Sequence, residues 1–443
     1  MEANWPAIVF LSIATGVAVY VGRLWFKQWF NPLSLYSAVW GFCLCNYEFG
    51  LIQYENISGM AWTYVFIAWV GLYLGAAVVI LLSNPRNLSI PSSRPDGLRR
   101  LRNGLVLCLV LGGVGLADQL RFVIHEFGNL ITAIMVNAGD IYRIKVAGDL
   151  SIVPYVGALS LPACSLGGIY TARVGKLTSL GVLPLIMVAL QDIFALSRLE
   201  IGMAAVLFMA SYVHTPKKAK IEFSKWQRRV ALILGMAIIA GGFITVSSVR
   251  GLGVDFPGIT PAMDRISEFV PVFPSIYSNF SATPVAFSMY LSSPEESKHG
   301  SWGEYSFAPV LRLLAKAGLG QGVERYEETY YTPVPMNTST YLKNIHSDFG
   351  PVGVMLFPFF LSLTTTALLF RSERRGTISS TVLLGNLYVI LVFSFAFNLM
   401  MVGGWYISAV FGALVGLMID SPIAARTDVR NPEIVGTGNI LPA

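Results

Sequence analysis

Charge is what this chain has least of. Asp, Glu, Lys and Arg make up only 13% of its 443 residues, against 54% hydrophobic residues, where a soluble domain carries about 25% charged residues. A water-soluble globule of this make-up is excluded. The formal net charge of +6 does not point to nucleic acid either, because the cations are scattered through short connectors rather than gathered on one basic face. Cysteine is also sparse: Cys43, Cys45, Cys108 and Cys164 all lie in apolar runs, so no disulfide framework is implied. Cys43 and Cys45, two apart on one helix, diverge and make no metal pair. A His-Glu-x-x-His zinc helix, a Walker loop, an Asp-x-Asp pair, internal repeats and low-complexity tracts are all missing, which excludes the mechanisms those motifs serve. The N-terminus lacks a basic region and a small-residue cleavage site, so the first apolar run is expected to stay in the protein.

What remains is a succession of apolar runs of the length that crosses a bilayer. They fall near 6–22, 33–52, 60–83, 103–120, 152–172, 178–196, 199–213, 229–249, 350–370, 378–398 and 403–420. This predicts an all-α polytopic membrane protein with about eleven transmembrane helices. Most of the 31 Lys and Arg residues fall in alternate connectors, from Arg23 and Lys27, through the groups at 86–102, 173–176, 217–229 and 371–375, to Arg426 and Arg430. By the positive-inside rule these connectors are cytoplasmic, which places the N-terminus outside and the C-terminus inside. The chain then divides into spans one to eight over 1–249, a large outer loop over 250–349, spans nine to eleven over 350–420 and a polar tail over 421–443.

The large loop carries seven Lys or Arg against ten Asp or Glu, a net charge near −3, so an anion there must be held by particular arginines. Helical spacing of apolar residues over Pro261–Val270 and Pro309–Ala317, with glycines between, predicts short amphipathic helices lying on the bundle. A smaller outer loop, 121–151, carries an apolar piece from Leu130 to Val136 suited to the membrane interface.

Four places could carry chemistry, each with a plainer structural reading beside it. Arg198 stands between two apolar runs, with Asp192 and Glu200 as candidate partners; it is either a salt-bridged helix end or an anion contact. Arg250, followed by Gly251 and Gly253, opens the large loop. Its planar fork suits phosphate oxygens, though a snorkelling anchor looks the same. Arg325 lies among Glu324, Tyr326, Glu327, Glu328, Tyr330 and Tyr331, a mixture suited to sugars or to a solvated loop face. His346 can take a proton from a hydroxyl at neutral pH, while Asp348, two residues on, either lines the same site or caps the following helix. Outside the cell no ATP is present, so a substrate acted on there must bring its own energy, as a lipid-linked sugar diphosphate does; arginines would then stabilise the leaving group without a metal.

The run Asn337-Thr338, Tyr341, His346-Ser347-Asp348-Phe349-Gly350-Pro351-Val352-Gly353 and Phe357-Pro358, with Ser197-Arg198 opening a span and Arg250-Gly251 opening the large loop, resembles the Wzy-type oligosaccharide repeat unit polymerases of bacteria. That resemblance implies a GT-C-like glycosyltransferase of the inner membrane. It would transfer a glycan from undecaprenyl diphosphate to a newly flipped lipid-linked repeat unit, without a cofactor. Arg198, Arg250 and Arg325 would hold the diphosphate, with Arg265 or Arg312 as alternatives to Arg325. His346 would serve as general base, and Asn337, Tyr341 and Asp348 would line the sugar site. Its partners would be the lipid-linked oligosaccharide, the bilayer, a flippase and a chain-length regulator. An O-antigen ligase shares donor and topology and differs in its acceptor, lipid A core. A transporter of lipid-linked oligosaccharide is the reading from another class, and the near absence of charge within the spans speaks against it.

Overall fold

Helices start readily where a side chain can accept the first free backbone N–H groups, and this chain supplies such residues at four of its apolar runs. In the computed structural model, Asn4, Asn31, Ser58 and Thr178 cap α1 (Trp5–Phe26), α2 (Pro32–Glu48), α3 (Gly59–Leu82) and α6 (Ser179–Phe194). Between them lie α4 (Gly97–Phe127) and α5 (Ser160–Val174), and α7 (Leu199–His214) follows. The structure describes residues 3–83, 97–129, 133, 136–137, 140–141, 144, 155–195, 197–216, 256–294, 302–320, 323 and 329–421. The span expected at 229–249, most of the segment from Leu130 to Val136, the tail, Arg250 and Arg325 lie outside the described residues.

Among the described residues, five helices are long and apolar enough to cross a membrane: α1, α3, α4, α12 (Tyr341–Arg375) and α14 (Gly403–Asp420). Shorter apolar helices are α6, α7 and α13 (Ile378–Phe393). Their outward faces leave large apolar side chains uncovered, including Phe10, Ile13 and Val17 on α1 and Leu414, Leu417 and Met418 on α14. Such a surface needs a bilayer as its solvent. The chain is an all-α membrane protein.

The main core joins Leu33, Tyr36 and Trp40 of α2, Ala68, Leu72 and Ala76 of α3, Leu342 and Ile345 of α12 and Leu391 of α13. Its tightest seam is α3 against α12. Gly71 and Gly75 of α3 press onto the backbone carbonyls of Met355 and Phe359, where a Cβ at either glycine would collide with the oxygen. Small residues four apart are the general means of bringing two membrane helices to backbone contact.

Outside the bundle, α8 (Pro261–Phe269) and α11 (Ala308–Lys316) occupy the places expected from apolar spacing, and α9 (Phe273–Ser281) and α10 (Thr283–Ser292) add two more helices. A hairpin of β1 (Tyr330–Thr332) and β2 (Val334–Met336) pairs antiparallel about Pro333, a strand pair that apolar periodicity did not suggest. This layer sits on the α2–α3 connector. Gln53 N–H donates to Gly258 O at 2.7 Å and Thr260 N–H to Leu51 O at 3.1 Å. Tyr54, Met263, Tyr277 and Met336 form a separate small core there. Burial pushes the phenols of Tyr54 and Tyr277 up, Tyr277 to about 12. Both stay neutral and act as hydrogen-bond groups, Tyr54 with Ser281 Oγ at 2.7 Å and Tyr277 to Asn46 O.

Several expected boundaries move, each for a local reason. The run 33–52 yields a helix only to Glu48, because Leu51 to Gln53 pair with the loop layer instead. The run 103–120 extends to a 31-residue helix that takes His125 into its last turn. The run 350–370 is continuous with what precedes it: α12 begins at Tyr341 and is broken at Gly350, at φ 65° and ψ −164°, a backbone region open essentially to glycine alone. Replacing Gly75 with Leu is expected to cost about 3 kcal/mol, read as loss of the monodisperse peak in detergent. Gly350→Ala should cost about 2 kcal/mol, read as a lower melting temperature.

Candidate functional site

The segment from Tyr341 to Phe349 is a helix with no free side. Pro335 lies in the extended strand β2 that leads up to it, and Tyr341 N–H ties its first turn to Ser394 O at 3.0 Å. Gly350 and Pro351 then end its ladder. Every side chain from Tyr341 to Asp348 is buried, the polar ones included. Burial of Lys343, Asn344, His346, Ser347 and Asp348 in one helix is costly unless each finds a partner, so what faces them defines the site.

His346 Nδ1 lies 3.0 Å from the hydroxyl of Tyr290 on α10, and its ring sits 5.3 Å from that of Tyr64 on α3. Asp348 accepts from two consecutive backbone N–H groups, Tyr305 to Oδ1 at 2.9 Å and Ser306 to Oδ2 at 2.7 Å. Tyr406 of α14 donates to Ser306 O at 3.0 Å, which locks that turn to the bundle. Lys343 Nζ stands 4.9 Å above the ring of Tyr330 in β1, a cation–π contact. Tyr341 is 1% exposed; its hydroxyl is 3.1 Å from that of Tyr36 and its ring packs edge-on to Trp40. Buried Asn344 Nδ2, Thr340 Oγ1 and Ser339 Oγ have no protein hydrogen-bond partner among the described residues. These groups are satisfied only by water or a polar ligand.

The structure therefore gathers His346, Asp348 and Tyr341 on one short helix but gives them different surroundings. His346 faces Tyr290 and Tyr64. Asp348 neither caps the following helix nor faces His346; both its oxygens are spent on holding the 305–306 turn. Tyr341 is a packed core residue whose hydroxyl meets Tyr36. Asn337 is exposed beyond β2. Arg198 is half-buried at the start of α7, and Asp192, one of its expected partners, accepts from Ile201 N–H at 2.7 Å and so serves that helix start. Arg265 projects from the exposed side of α8, its Nε bonded to Pro261 O at 3.3 Å on its own helix. Arg312 reaches Met401 O at 3.3 Å and ties α11 to the α13–α14 turn.

Sequence reasoning missed Tyr290, because its neighbours Phe287, Met289 and Leu291 give no sign that one hydroxyl among them reaches a histidine 56 residues away. It missed the Asp348 turn for the same reason. Among the described residues no group of three or more His, Cys, Asp or Glu side chains is placed to hold a metal ion. No protein-family model, curated protein or solved structure matches the chain. Asp348→Asn should leave one backbone N–H without its acceptor, a local cost of about 2 kcal/mol. Hydrogen exchange is expected to quicken in residues 302–307, while that of α3 stays unchanged.

Proposed function

We propose that this chain is a membrane glycosyltransferase that polymerises undecaprenyl-diphosphate-linked oligosaccharide repeat units at the outer face of the bacterial inner membrane. In this reading it has eleven spans in a GT-C-like arrangement, with the N-terminus outside and the C-terminus inside. The observation that carries the proposal is His346: it lies within the segment whose sequence resembles those polymerases, beside a tyrosine hydroxyl, on a buried helix between the bundle and the extramembrane layer. Orphaned polar groups on the same segment, at Asn344 and, just before the helix, at Thr340 and Ser339, suit a hydroxyl-rich ligand.

The chemistry follows from the imidazole. With Nδ1 engaged by Tyr290, proton transfer falls to Nε2. For Nε2 to act as a base, Nδ1 must carry a hydrogen and donate it to the Tyr290 oxygen, a role the hydroxyl can take. The acceptor sugar hydroxyl gives its proton to Nε2 as its oxygen bonds to the anomeric carbon of the donor. The bond from that carbon to the diphosphate oxygen breaks, and its electron pair leaves with undecaprenyl diphosphate. Arg250, with Arg198 and Arg325, takes up the charge on the leaving group. Tyr341 and Asp348 support the site from behind, the first through the core and the second through the 305–306 turn.

His346→Ala is expected to lower polymerisation by about a hundredfold or more, and Arg250→Ala to abolish long chains. Both proteins should still insert in the membrane at normal levels. Tyr290→Phe should lower the rate by about tenfold. The measurement is gel profiling of surface polysaccharide in a strain lacking the native gene. Single repeat units in that strain support a polymerase; lipid-linked long chains would indicate a ligase, and unflipped intermediates a transporter. Full-length polymer from both the His346 and Arg250 variants would sink the site assignment.

A further inference from the structure

At the end of α12 far from His346, a cleft of about 280 Å³ opens between α3 and α12, lined by Val79, Ser83, Ala367, Phe370, Arg371, Arg374 and Arg375. Its cations are ordered by the helix: Arg374 and Arg375 follow Arg371 by three and four positions, on the face that Ala367 shares. The nearby carboxylate, Glu373, falls off that face and is bonded by Gln28 Nε2 at 3.0 Å. No acidic side chain is among the residues lining the cleft. Both helices end here with their C-termini, whose partial charges of roughly −0.5 each oppose an anion, but three full positive charges outweigh them.

The surroundings place the cleft at headgroup depth. Leu81 and Leu82, beside its wall on α3, are 85% and 82% exposed. On neighbouring α1, Arg23 stacks on Trp29 with 4.3 Å from Cζ to the ring centroid, and Phe26 packs on Phe370. Cation and aromatic pairs of this kind mark a membrane boundary. Val79, Ala367 and Phe370 give the cleft an apolar floor, with Arg374 also leaning on the Phe370 ring at 5.9 Å. Guanidinium forks above an apolar floor match a phosphate joined to a diacylglycerol better than a free anion.

We propose that the cleft between α3 and α12 lined by Arg371, Arg374 and Arg375 binds the phosphate headgroup of an anionic membrane phospholipid. The site is separate from the proposed glycosyl-transfer site and does not depend on it.

The test is native mass spectrometry of the full chain, stripped of lipid in detergent and titrated with phosphatidylglycerol, with phosphatidylcholine, or with phosphatidylglycerol in the presence of inorganic phosphate. Retention of phosphatidylglycerol but not phosphatidylcholine is expected. The triple variant Arg371→Gln, Arg374→Gln, Arg375→Gln should weaken it by about a hundredfold, the effect of three cations near a membrane surface. Replacing the same three residues with Lys, which keeps the charge but loses the fork, should give an intermediate loss and guards against misfolding of the Gln variant. Removing as much charge elsewhere, with Arg99→Gln, Arg100→Gln and Arg102→Gln, should change binding by no more than a few fold. The proposal is overturned if phosphatidylcholine binds as well, if the Gln variant matches the wild type, or if the Arg99, Arg100 and Arg102 variant loses as much. Full displacement by millimolar phosphate would likewise overturn it, by showing a free-anion site.

Discussion

The contact between Gly71 and Gly75 of α3 and the carbonyls of Met355 and Phe359 fixes where everything else can stand. In lipid, helices gain little from hiding apolar surface from one another, so close backbone approach and dispersion decide which pair meets and at what height. Once α3 and α12 are seated in this way, the axial position of α12 is set. The ring of Tyr64, two turns up α3 from Gly71, then comes beside His346. A shift of one helical turn would separate that pair.

From this seam outward the protein is built in two layers. The bundle supplies Tyr36, Trp40, Tyr64 and Ser394, and the extramembrane helices supply Tyr290, Tyr305 and Ser306. The short helix from Tyr341 to Phe349 is the piece both layers share. Its polar residues are divided between them: Tyr341 looks into the bundle, Lys343 to the hairpin, His346 to α10 and Asp348 to the turn before α11. Buried polar groups distributed over so many elements rigidify a segment when their partners are in place.

Much of the architecture is legible in the chain. Run length and apolar content mark the membrane helices, and helical spacing after Pro261 and Pro309 marks two helices of the outer layer, because those signals are local. Boundaries are less so. Nothing in Phe49-Gly50-Leu51-Ile52 says that it leaves a membrane helix to pair with Gly258 and Thr260, since that choice depends on residues some two hundred positions away. The site behaves the same way. His346 stands out in sequence as an ionisable group at the head of an apolar run, whereas Tyr290 is one tyrosine among nineteen. Asp348 reads as a helix cap or a sugar ligand until Tyr305 and Ser306 are seen beneath it.

The break at Gly350 has a mechanical meaning. In an unbroken helix the hydrogen-bond ladder makes the whole rod respond to a push at one end. Here the ladder stops between the helix that bears His346 and the span that rests on α3. The seam below sets the height of α12, and the bonds of His346 and Asp348 set the direction of the segment above the break.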